Sequence, residues 1–595
     1  MKFSTLARYF ERLEQTTSRL EITQILAEAF QHMTPDEVAK TAYLLQGRVA
    51  PRYVKADFGM QEKMVVKAVV TALQLDETAF KRDLATSGDL GTTVERYRAE
   101  SMTLETSDPD IADVFADLQG ITKQSGPGSQ ETKQRLLARL VLETDARSAR
   151  YLVRIPTGVL RLGLSDMTIL DAYSWMLTGG KSLRKKIEAA YHVRPDLGFI
   201  GKRLKESGIE GLADTKPELF TPILMMRAER LSSGEEILEK IGPCAIEPKF
   251  DGIRLQVHYS RKSGTALFTR GLESVADTYP DIVEAVAREL DVDDIIFEGE
   301  AIGYVPETRE FLPFQETVQR KRKHNVAQKA KEIPLKMFVF ELLYLNGESY
   351  IDRPYVERRQ RINEIMGNGH DKHIRNTIIP AESIVLNDAS AIEHKFEESV
   401  TEGLEGIIAK KLDGVYQAGA RGYNWVKFKR SYATSALKDT LDCVVMGYDF
   451  GKGKRSAFGI GAFLVGVYDE AEDVYKTVAK IGTGLTDNEW RELKDRADRL
   501  KTETKPARYE TDDRMSVDVW IKPEIVVEIL ADEITRSPMH TAGRTLKPSK
   551  SGKAFEVDVP GYALRFPRLQ RFRDDKRVED VTTLAEIQAI SGMAV

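Results

Sequence analysis

The chain contains the sequence IEPKFDGIR at residues 246–254. Four of these residues, Lys249, Asp251, Gly252 and Arg254, have the spacing K-x-D-G-x-R. At ordinary residue frequencies, four fixed residues occur by chance in a chain of this length only on the order of once in a hundred sequences. A surface hairpin with an Asp-Gly turn would also account for so short a sequence. The residues downstream therefore decide between a hairpin and a reactive site.

Charged residues recur in pairs along the predicted strands. Residues two apart on a strand share one of its faces. This spacing occurs in Glu247 and Lys249, in Glu298 and Glu300, and in Lys427 and Lys429. The lysine pair would place two ammonium groups about 6–7 Å apart at backbone level, which suits a triphosphate and would lower the pKa of a neighbouring lysine. Each pair taken alone is also typical of a solvated strand face.

Length and composition limit the class of protein. A chain of 595 residues is too long for one core and predicts about three or four domains. We find no run of roughly 18 or more apolar residues and no export leader, so we expect a cytoplasmic protein without a membrane partner. The two cysteines, Cys244 and Cys443, cannot form a four-cysteine zinc site and do not indicate a disulfide framework.

Three local clusters of basic residues favour a polyanionic partner, although the formal net charge is −5. Residues 181–205 contain eight Lys and Arg against two acids, residues 319–331 contain six against none, and residues 536–576 contain ten against four. A single cluster is usually a solvated surface, whereas three on an acidic protein are typical of a protein that binds a polyanion.

The pattern of secondary structure changes along the chain. Residues 1–215 are predicted to be helical, with a capping box in TPDE at 34–37 and a helix cap at Ser165. After the linker at 215–217, alternation of Ile253, Leu255, Val257 and Tyr259 with polar residues predicts a half-buried strand. Further strands are predicted at 294–304, 335–345, 405–411 and 424–429. From about residue 431, shorter glycine-rich strands predict a small barrel.

The ordered motifs resemble those of the covalent nucleotidyltransferases, which comprise ATP-dependent DNA ligases, RNA ligases and mRNA capping enzymes. K-x-D-G-x-R is similar to motif I. The later sequences resemble motifs III, IIIa, IV, V and VI in their usual order, namely Glu300, Phe340-Glu341, Glu405-Gly406 with Lys410, Lys427-x-Lys429 and Arg573-Asp574-Asp575-Lys576. The match spans residues 247–576, and six motifs in this order are not expected by chance.

The flanking regions favour DNA ligases of the archaeal and eukaryotic replicative type. LRLGLS at 160–165 is similar to a segment of their DNA-binding domain, and GKGKR at 451–455 and RFPR at 565–568 are similar to their OB-fold domain. Bacterial NAD-dependent ligases carry a cysteine zinc site that two cysteines cannot supply. The resemblance implies a multidomain protein with an all-α DNA-binding domain at 1–215, an α+β adenylation (nucleotidyltransferase) domain at 216–430 and a β-barrel OB-fold domain at 431–595.

The resemblance also implies a role for each motif residue. Lys249 would attack ATP and carry AMP as a phosphoramidate, which requires a neutral amine near neutral pH. Glu247 would bind the adenine amine, and Phe340 would stack on the base. Ribose and phosphate would be held by Arg254, Arg270 and Glu300, and the phosphates also by Arg421, Lys427 and Lys429. Arg573 and Lys576 would orient the departing pyrophosphate. Glu300 and Glu405 would bind Mg²⁺, which prefers oxygen ligands. For Phe340, a place in the core is the alternative.

The implied activity is ATP-dependent sealing of nicks in double-stranded DNA, in replication, repair and recombination. AMP would pass from Lys249 to the 5′-phosphate at the nick, and the 3′-hydroxyl would then displace it. No convincing sliding-clamp-binding motif is present, so that partner is left open. One alternative is an RNA ligase or a capping enzyme, which belong to the same superfamily but act on other substrates. The second is a non-catalytic DNA-binding scaffold with the same fold. Capping enzymes and most RNA ligases lack so large a helical N-terminal domain.

Overall fold

A computed structural model describes most of the chain, which forms two compact units, Met1–Phe428 and Lys429–Val595. The described residues are 1–101, 107–158, 160, 162–305, 311–312, 314–321, 325–367, 376–402, 404–429, 440–451, 458–482, 485–531, 533–548 and 555–591.

The N-terminal part of the first unit is helical, as the sequence predicts. Its helices are α1 (Phe3–Glu14), α2 (Arg19–Gln31), α3 (Pro35–Leu45), α4 (Glu62–Leu73), α5 (Glu77–Ser87), α6 (Leu90–Glu100), α7 (Ile111–Thr122), α8 (Ser129–Glu143), α9 (Ala146–Thr157), α10 (Asp166–Thr178), α11 (Arg184–Val193) and α12 (Leu197–Ser207). Their apolar faces bury a common core that includes Phe3, Phe10, Phe30 and Tyr151.

Local side chains explain where these helices begin and end. The Thr34 hydroxyl accepts a hydrogen bond from the Glu37 N–H, and the Glu37 carboxylate accepts one from the Thr34 N–H, so the predicted capping box is confirmed. Ser165 caps α10 as predicted. Gly47 follows α3 with a φ of 66°, a left-handed conformation that favours glycine at the end of a helix.

The central part of the chain alternates strands and helices. Its elements are β1 (Arg227–Arg230), α13 (Gly234–Ile241), β2 (Cys244–Lys249), β3 (Ile253–Ser260), β4 (Gly264–Thr269), α14 (Pro280–Glu289), β5 (Asp294–Gly303), α15 (Phe314–Thr317), α16 (Val326–Glu332), β6 (Leu335–Leu345), β7 (Glu348–Ser349), α17 (Tyr355–Met366), β8 (Ile378–Pro380), β9 (Ile384–Leu386), α18 (Ala389–Thr401), β10 (Gly406–Lys411) and β11 (Arg421–Lys429). The strands predicted at 294–304, 335–345, 405–411 and 424–429 are thus confirmed.

These strands form two sheets. The first has the order β1-β11-β10-β2-β9, and the second has the order β4-β3-β5-β6-β7 with β8 paired to β6. β1 runs parallel to β11, whereas β2 is antiparallel to β10 and β3 is antiparallel to β5. The chain passes from the first sheet to the second between β2 and β3, through residues 250–252. The motif K-x-D-G-x-R therefore spans the connection between the two sheets.

The prediction that β3 is half-buried is wrong. Gln256 and His258, on its polar face, are both 0% exposed. The segment Phe220–Ile223 covers this face: the Gln256 amide donates to the Ile223 carbonyl at 3.0 Å, and His258 Nδ1 accepts from the Phe220 N–H at 3.0 Å. Polar side chains can be buried here because each has a hydrogen-bond partner.

The second unit is rich in strands. Its elements are β12 (Leu441–Asp449), β13 (Ala462–Asp469), β14 (Val474–Ile481), α19 (Asp487–Asp498), β15 (Lys501–Thr502), β16 (Tyr509–Glu510), β17 (Val519–Ile521), β18 (Val526–Leu530), β19 (Glu533–Ser537), β20 (Thr545–Pro548), β21 (Phe555–Val559), β22 (Gly561–Arg565), β23 (Arg568–Phe572) and α20 (Leu584–Ser591). The main sheet has the order β15-β17-β12-β13-β14-β16, and β18 pairs with both β12 and β23. These described strands do not close a barrel, so the OB fold remains a prediction.

Parts of two sequences that resemble known domains lie outside the described residues, namely Arg161 of LRLGLS and residues 452–455 of GKGKR. RFPR lies at the turn between β22 and β23. Within the described part of the chain, no helix combines the length and the apolar character needed to cross a membrane.

We expect His258 to make the stability of the protein depend on pH. Burial lowers the pKa of His258 to about 3, whereas an unfolded histidine has a pKa near 6.5. As the pH falls, His258 of the unfolded chain binds a proton before the buried His258 of the folded protein does. The free energy of unfolding is therefore unaffected by this group above about pH 6.5 and decreases between about pH 6.5 and 3, by about 2 kcal/mol at pH 5. The measurement is the free energy of unfolding in urea at about pH 7.5 and pH 5. His258→Gln should narrow the difference between the two values, and an unchanged difference would contradict the expectation.

Candidate active site

Lys249 lies at the edge of the first sheet beside a carboxylate. It is the last residue of β2 and pairs with Gly406 at the start of β10. The Glu405 N–H donates to the Lys249 carbonyl at 3.0 Å, and the Glu405 carboxylate forms an ion pair with the Lys249 ammonium. The two side chains are 21% and 27% exposed, so both are partly open to solvent. The carboxylate in contact with the lysine is thus Glu405, more than 150 residues away in sequence.

Gly252 allows the motif backbone to approach the second sheet closely. Its N–H donates to Glu300 Oε1 at 3.3 Å. A Cβ added at Gly252 would lie 2.5 Å from the Ala301 carbonyl oxygen and 3.1 Å from Glu300 Cγ, which no side chain tolerates without displacing the backbone. The glycine of K-x-D-G-x-R is therefore required by packing against β5.

Lys249 belongs to a cluster of cations. Arg230, Arg270, Arg421 and Lys249 lie near Lys427, and Arg227, Arg254 and Arg421 lie near Arg270. Burial lowers the pKa of Lys427, and neighbouring cations, including Lys249, lower it further. Burial and three neighbouring arginines likewise lower the pKa of Arg270. Since a bound polyanion would relieve this repulsion, the cluster is suited to phosphates. Lys429 ends β11 two residues after Lys427 and therefore projects from the same strand face.

Two carboxylates near the amine could hold a metal ion. Burial raises the pKa of Glu300 to about 7, against the opposing influence of Lys249 and Arg254. A divalent cation would favour the ionised form, and carboxylate oxygens are ligands that Mg²⁺ prefers. Glu405, which forms the ion pair with Lys249, offers a second carboxylate. Among the described residues, no three His, Cys, Asp or Glu side chains form a metal-binding group.

Glu247 and Phe340, the residues expected to bind the base, are linked through buried neighbours. Glu247 accepts a hydrogen bond from the Tyr355 hydroxyl at 2.6 Å and forms an ion pair with Lys410 at 2.8 Å. Phe340 is half-buried on β6 and packs edge-to-face against Trp425 at a centroid distance of 5.9 Å. Phe340 thus makes contacts in the core, which was the alternative to a role in stacking on the base. Part of its surface stays exposed.

Arg254 is engaged mainly by the protein. Its Nη2 donates to Glu298 at 2.6 Å, and its Nη1 donates to the Met226 carbonyl at 2.9 Å. Its guanidinium also lies 5.4 Å from the ring centroids of both Phe340 and Trp425. The side chain is 21% exposed, so a role at the nucleotide remains a prediction.

The two cations of the predicted motif VI share a carboxylate within the second unit. Arg573 Nη1 lies 2.9 Å from Asp442, and Lys576 Nζ lies 2.5 Å from the same side chain. Asp575 also pairs with Arg573, at 2.8 Å. These cations are therefore close together, and their charge is balanced locally.

The structure adds residues that the sequence does not single out. Arg227 and Arg230 join the cation cluster because β1 pairs with β11, which is almost 200 residues later in sequence. Tyr355 and Arg359 reach Glu247 from α17. No local pattern marks these four residues, whereas Lys410 belongs to the Glu405-Gly406 motif.

Four of the eight basic residues at 181–205 are ion-paired with acids from elsewhere in the chain. Ion pairs join Lys181 and Arg184 to Asp171, Arg194 to Glu218, and Lys202 to Asp36. Lys185 and Lys186 are exposed and make no ion pair within the described residues. Similarly, Arg320 in the stretch 319–331 is buried and paired with Asp281. The net charge of a stretch thus overstates the charge that it presents to a partner.

Comparison with known proteins identifies the family. Three family models match: "DNA ligase N terminus" over residues 2–174, "ATP dependent DNA ligase domain" over 225–429 and "ATP dependent DNA ligase C terminal region" over 456–576. A "Probable DNA ligase" of Dictyoglomus thermophilum is 45% identical over 588 residues, which are 99% of this chain and 97% of that protein. The chain belongs to the ATP-dependent DNA ligase family. Sealing nicks in DNA with ATP is the general function of this family, and the chain is an enzyme of that kind.

Other similar proteins agree. "DNA ligase 2" of Thermofilum pendens is 38% identical over 606 residues, with 99% of this chain and 96% of that protein covered. A solved structure named Pmar-Lig_PreS3 is similar over 95% of this chain and 99% of its own, with a TM-score of 0.52 and 15% sequence identity. The latter likeness concerns the fold, a helical N-terminal region, a central adenylation domain and a sheet-rich C-terminal domain.

We expect Gly252→Ala to slow self-adenylation on the order of 10²-fold, because the added methyl group would displace the motif from β5 and misplace Lys249. The rate of AMP incorporation into the protein measures this. Gly271→Ala is the matched control, since its Cβ would meet only Thr269 Oγ1, at 3.7 Å. Equal rates for the two variants would show that close packing at Gly252 does not matter.

Proposed function

We propose that Lys249 is the residue that takes up AMP, and that the chain seals nicks in duplex DNA through this lysyl-AMP and a 5′-adenylated DNA strand. The observation that carries the proposal is the position of Lys249, partly exposed at a strand end between Glu405 and a cluster of cations. The cations would bind the triphosphate and orient its α-phosphorus toward the amine. Glu405 is the nearest group that could hold or accept the proton that the ammonium must lose.

The remaining site residues would bind ATP around this amine. Glu247 would accept from the adenine amine and Phe340 would stack on the base. Arg254, Arg270 and Glu300 would contact ribose and phosphate, and Arg421, Lys427 and Lys429 would hold the phosphates. Glu300 and Glu405 would hold Mg²⁺, which when bound supplies positive charge to the reacting phosphoryl group. Exposure of both Lys249 and Glu405 supports access for these groups.

We further propose three domains, a DNA-binding domain at 1–215, an adenylation domain at 216–430 and an OB-fold domain at 431–595. Arg573 and Lys576 of the last would orient the departing pyrophosphate, and their proximity at Asp442 supports a joint role. The biological setting would be DNA replication, repair and recombination.

We expect Lys249→Ala to abolish the covalent adduct with labelled ATP and to leave binding of nicked DNA largely intact. The reason is that the substitution removes the only atom proposed to bond to AMP. Gel autoradiography after incubation with ATP, GTP or NAD detects the adduct and identifies the nucleotide. Lys411→Ala, which removes an exposed lysine from the neighbouring strand, serves as the control. An adduct that survives Lys249→Ala would refute the assignment of the nucleophile.

We expect the double variant Lys185→Ala, Lys186→Ala to bind nicked DNA with a weaker dependence on salt. If both ammonium groups contact phosphates, the slope of log affinity against log salt should become shallower by about 2. Removal of Lys181 and Lys202, which are already ion-paired, is the matched control and should change the slope less. Identical slopes for the two double variants would argue against this surface as a DNA contact.

A further inference from the structure

Lys410 is a buried cation that contacts both sheets of the central domain. Its side chain is 1% exposed. Its ammonium forms an ion pair with Glu247 Oε2 at 2.8 Å and donates to the Phe340 carbonyl at 2.6 Å. Glu247 lies on β2 in the same sheet as Lys410, whereas Phe340 lies on β6 in the other sheet. One ammonium group thus joins the two residues proposed to recognise the base.

The surroundings of Lys410 are largely aromatic. Its Nζ lies 4.6 Å from the ring centroid of Trp425, 5.1 Å from that of Tyr355 and 5.2 Å from that of Phe340. An ammonium group in such a place is costly unless a carboxylate accompanies it. Burial lowers the pKa of Lys410, and Glu247 and Glu341 oppose this effect. Glu341 is engaged by Arg358 through two hydrogen bonds, at 2.7 and 2.9 Å, so Glu247 is the principal counter-ion of Lys410.

Lys410 is in turn the nearest cation to Glu247. Glu247 is 3% exposed. Three titratable groups of the described part of the chain face it, Lys410 from β10 and Tyr355 and Arg359 from α17. Tyr355 donates a neutral hydrogen bond at 2.6 Å, and Arg359 Nη1 stays 3.7 Å from the carboxylate. Lys410 is therefore the one cation among them within hydrogen-bond distance.

We propose that Lys410 determines which purine nucleotide the site accepts, by holding Glu247 as an ionised carboxylate that can only accept hydrogen bonds. The inference rests on the proposed contact between Glu247 and the 6-position of the base. An ionised carboxylate has no proton to donate, so it pairs with a 6-amino group and repels a 6-oxo group. Lys410 is a positioning residue in this scheme, since it acts on the base through Glu247 and the Phe340 backbone.

Without the ammonium, a carboxyl group buried to this extent favours its neutral form. A protonated Glu247 could donate to a 6-oxo group, and the distinction between the two kinds of purine would weaken. The proposed reaction at Lys249 is the same for a 6-amino and a 6-oxo purine nucleotide. Loss of Lys410 should therefore change the ratio of the labelling rates of the two nucleotides and not only the rate of each.

The test compares ATP with inosine triphosphate, which carries an oxo group at position 6 and lacks the 2-amino group of GTP. The quantity measured is the ratio of kcat/KM for covalent labelling of the full-length protein by the two nucleotides. For Lys410→Met we expect this ratio to fall by about 10- to 100-fold relative to the parent protein. The fall should be larger at about pH 6 than at about pH 8, because protonation of Glu247 is its cause. A purely structural role would lower both rates together and leave the ratio independent of pH.

Three further variants make the outcome decisive. Lys410→Arg keeps the charge and should keep most of the selectivity. Tyr355→Phe removes the neutral donor and should change the ratio much less than Lys410→Met does. Lys410→Gln keeps a donor without the charge, and should reproduce the fall if the methionine variant does not fold.

Glu247→Gln separates failure of this inference from failure of the proposed function. An unchanged ratio in Glu247→Gln would remove Glu247 from base recognition and overturn the proposed contact itself. A fall in Glu247→Gln together with an unchanged ratio in both neutral Lys410 variants would overturn the role of Lys410 alone. A fall in all three would support it.

Discussion

The site depends on the short connection between the two sheets of the central domain. β2 ends at Lys249 in one sheet and β3 begins at Ile253 in the other, so the chain must change sheets within about 14 Å of extended backbone. This is possible because Gly252 lets the backbone lie against β5, where any Cβ would collide with the Ala301 carbonyl. The connection keeps Lys249 close to Glu300, which belongs to the other sheet. The amine is thereby placed by backbone packing and not only by its own rotamer.

Buried ion pairs complete this arrangement. Three carboxylates that are almost fully buried each have a cation, in the pairs Glu247 with Lys410, Glu298 with Arg254, and Glu341 with Arg358. Such pairs add little net stability, because desolvation cancels most of the attraction. They do restrain geometry, since moving one member would leave the other charged and unpaired. Lys427 and Arg270 are not members of these pairs, and burial together with neighbouring cations lowers the pKa of each.

Features that depend on adjacent residues could be predicted from the sequence. The capping box at 34–37 and the strands near 294–304 and 335–345 follow from local spacing, and the ordered motifs predict candidate site residues by resemblance. Features that depend on distant segments could not. The polar face of β3 is buried by residues 220–223, and four of the eight basic residues at 181–205 are paired with Asp36, Asp171 and Glu218. The partner of Lys249 is likewise Glu405 and not Glu247, because strand pairing rather than sequence proximity decides the contact.

The contact between Lys249 and Glu405 also bears on the reactivity of the resting protein. An ammonium group held by a carboxylate is a weak nucleophile, since a proton occupies its lone pair. Lys427 is in the opposite situation, because burial and neighbouring cations lower its pKa and so leave more of its amine neutral. The neutral fraction of the Lys427 amine is therefore larger than that of an isolated lysine, which makes it more reactive toward acylating or carbonyl compounds. For Lys249 to act as the proposed nucleophile, its ion pair with Glu405 must first open so that the amine can lose its proton.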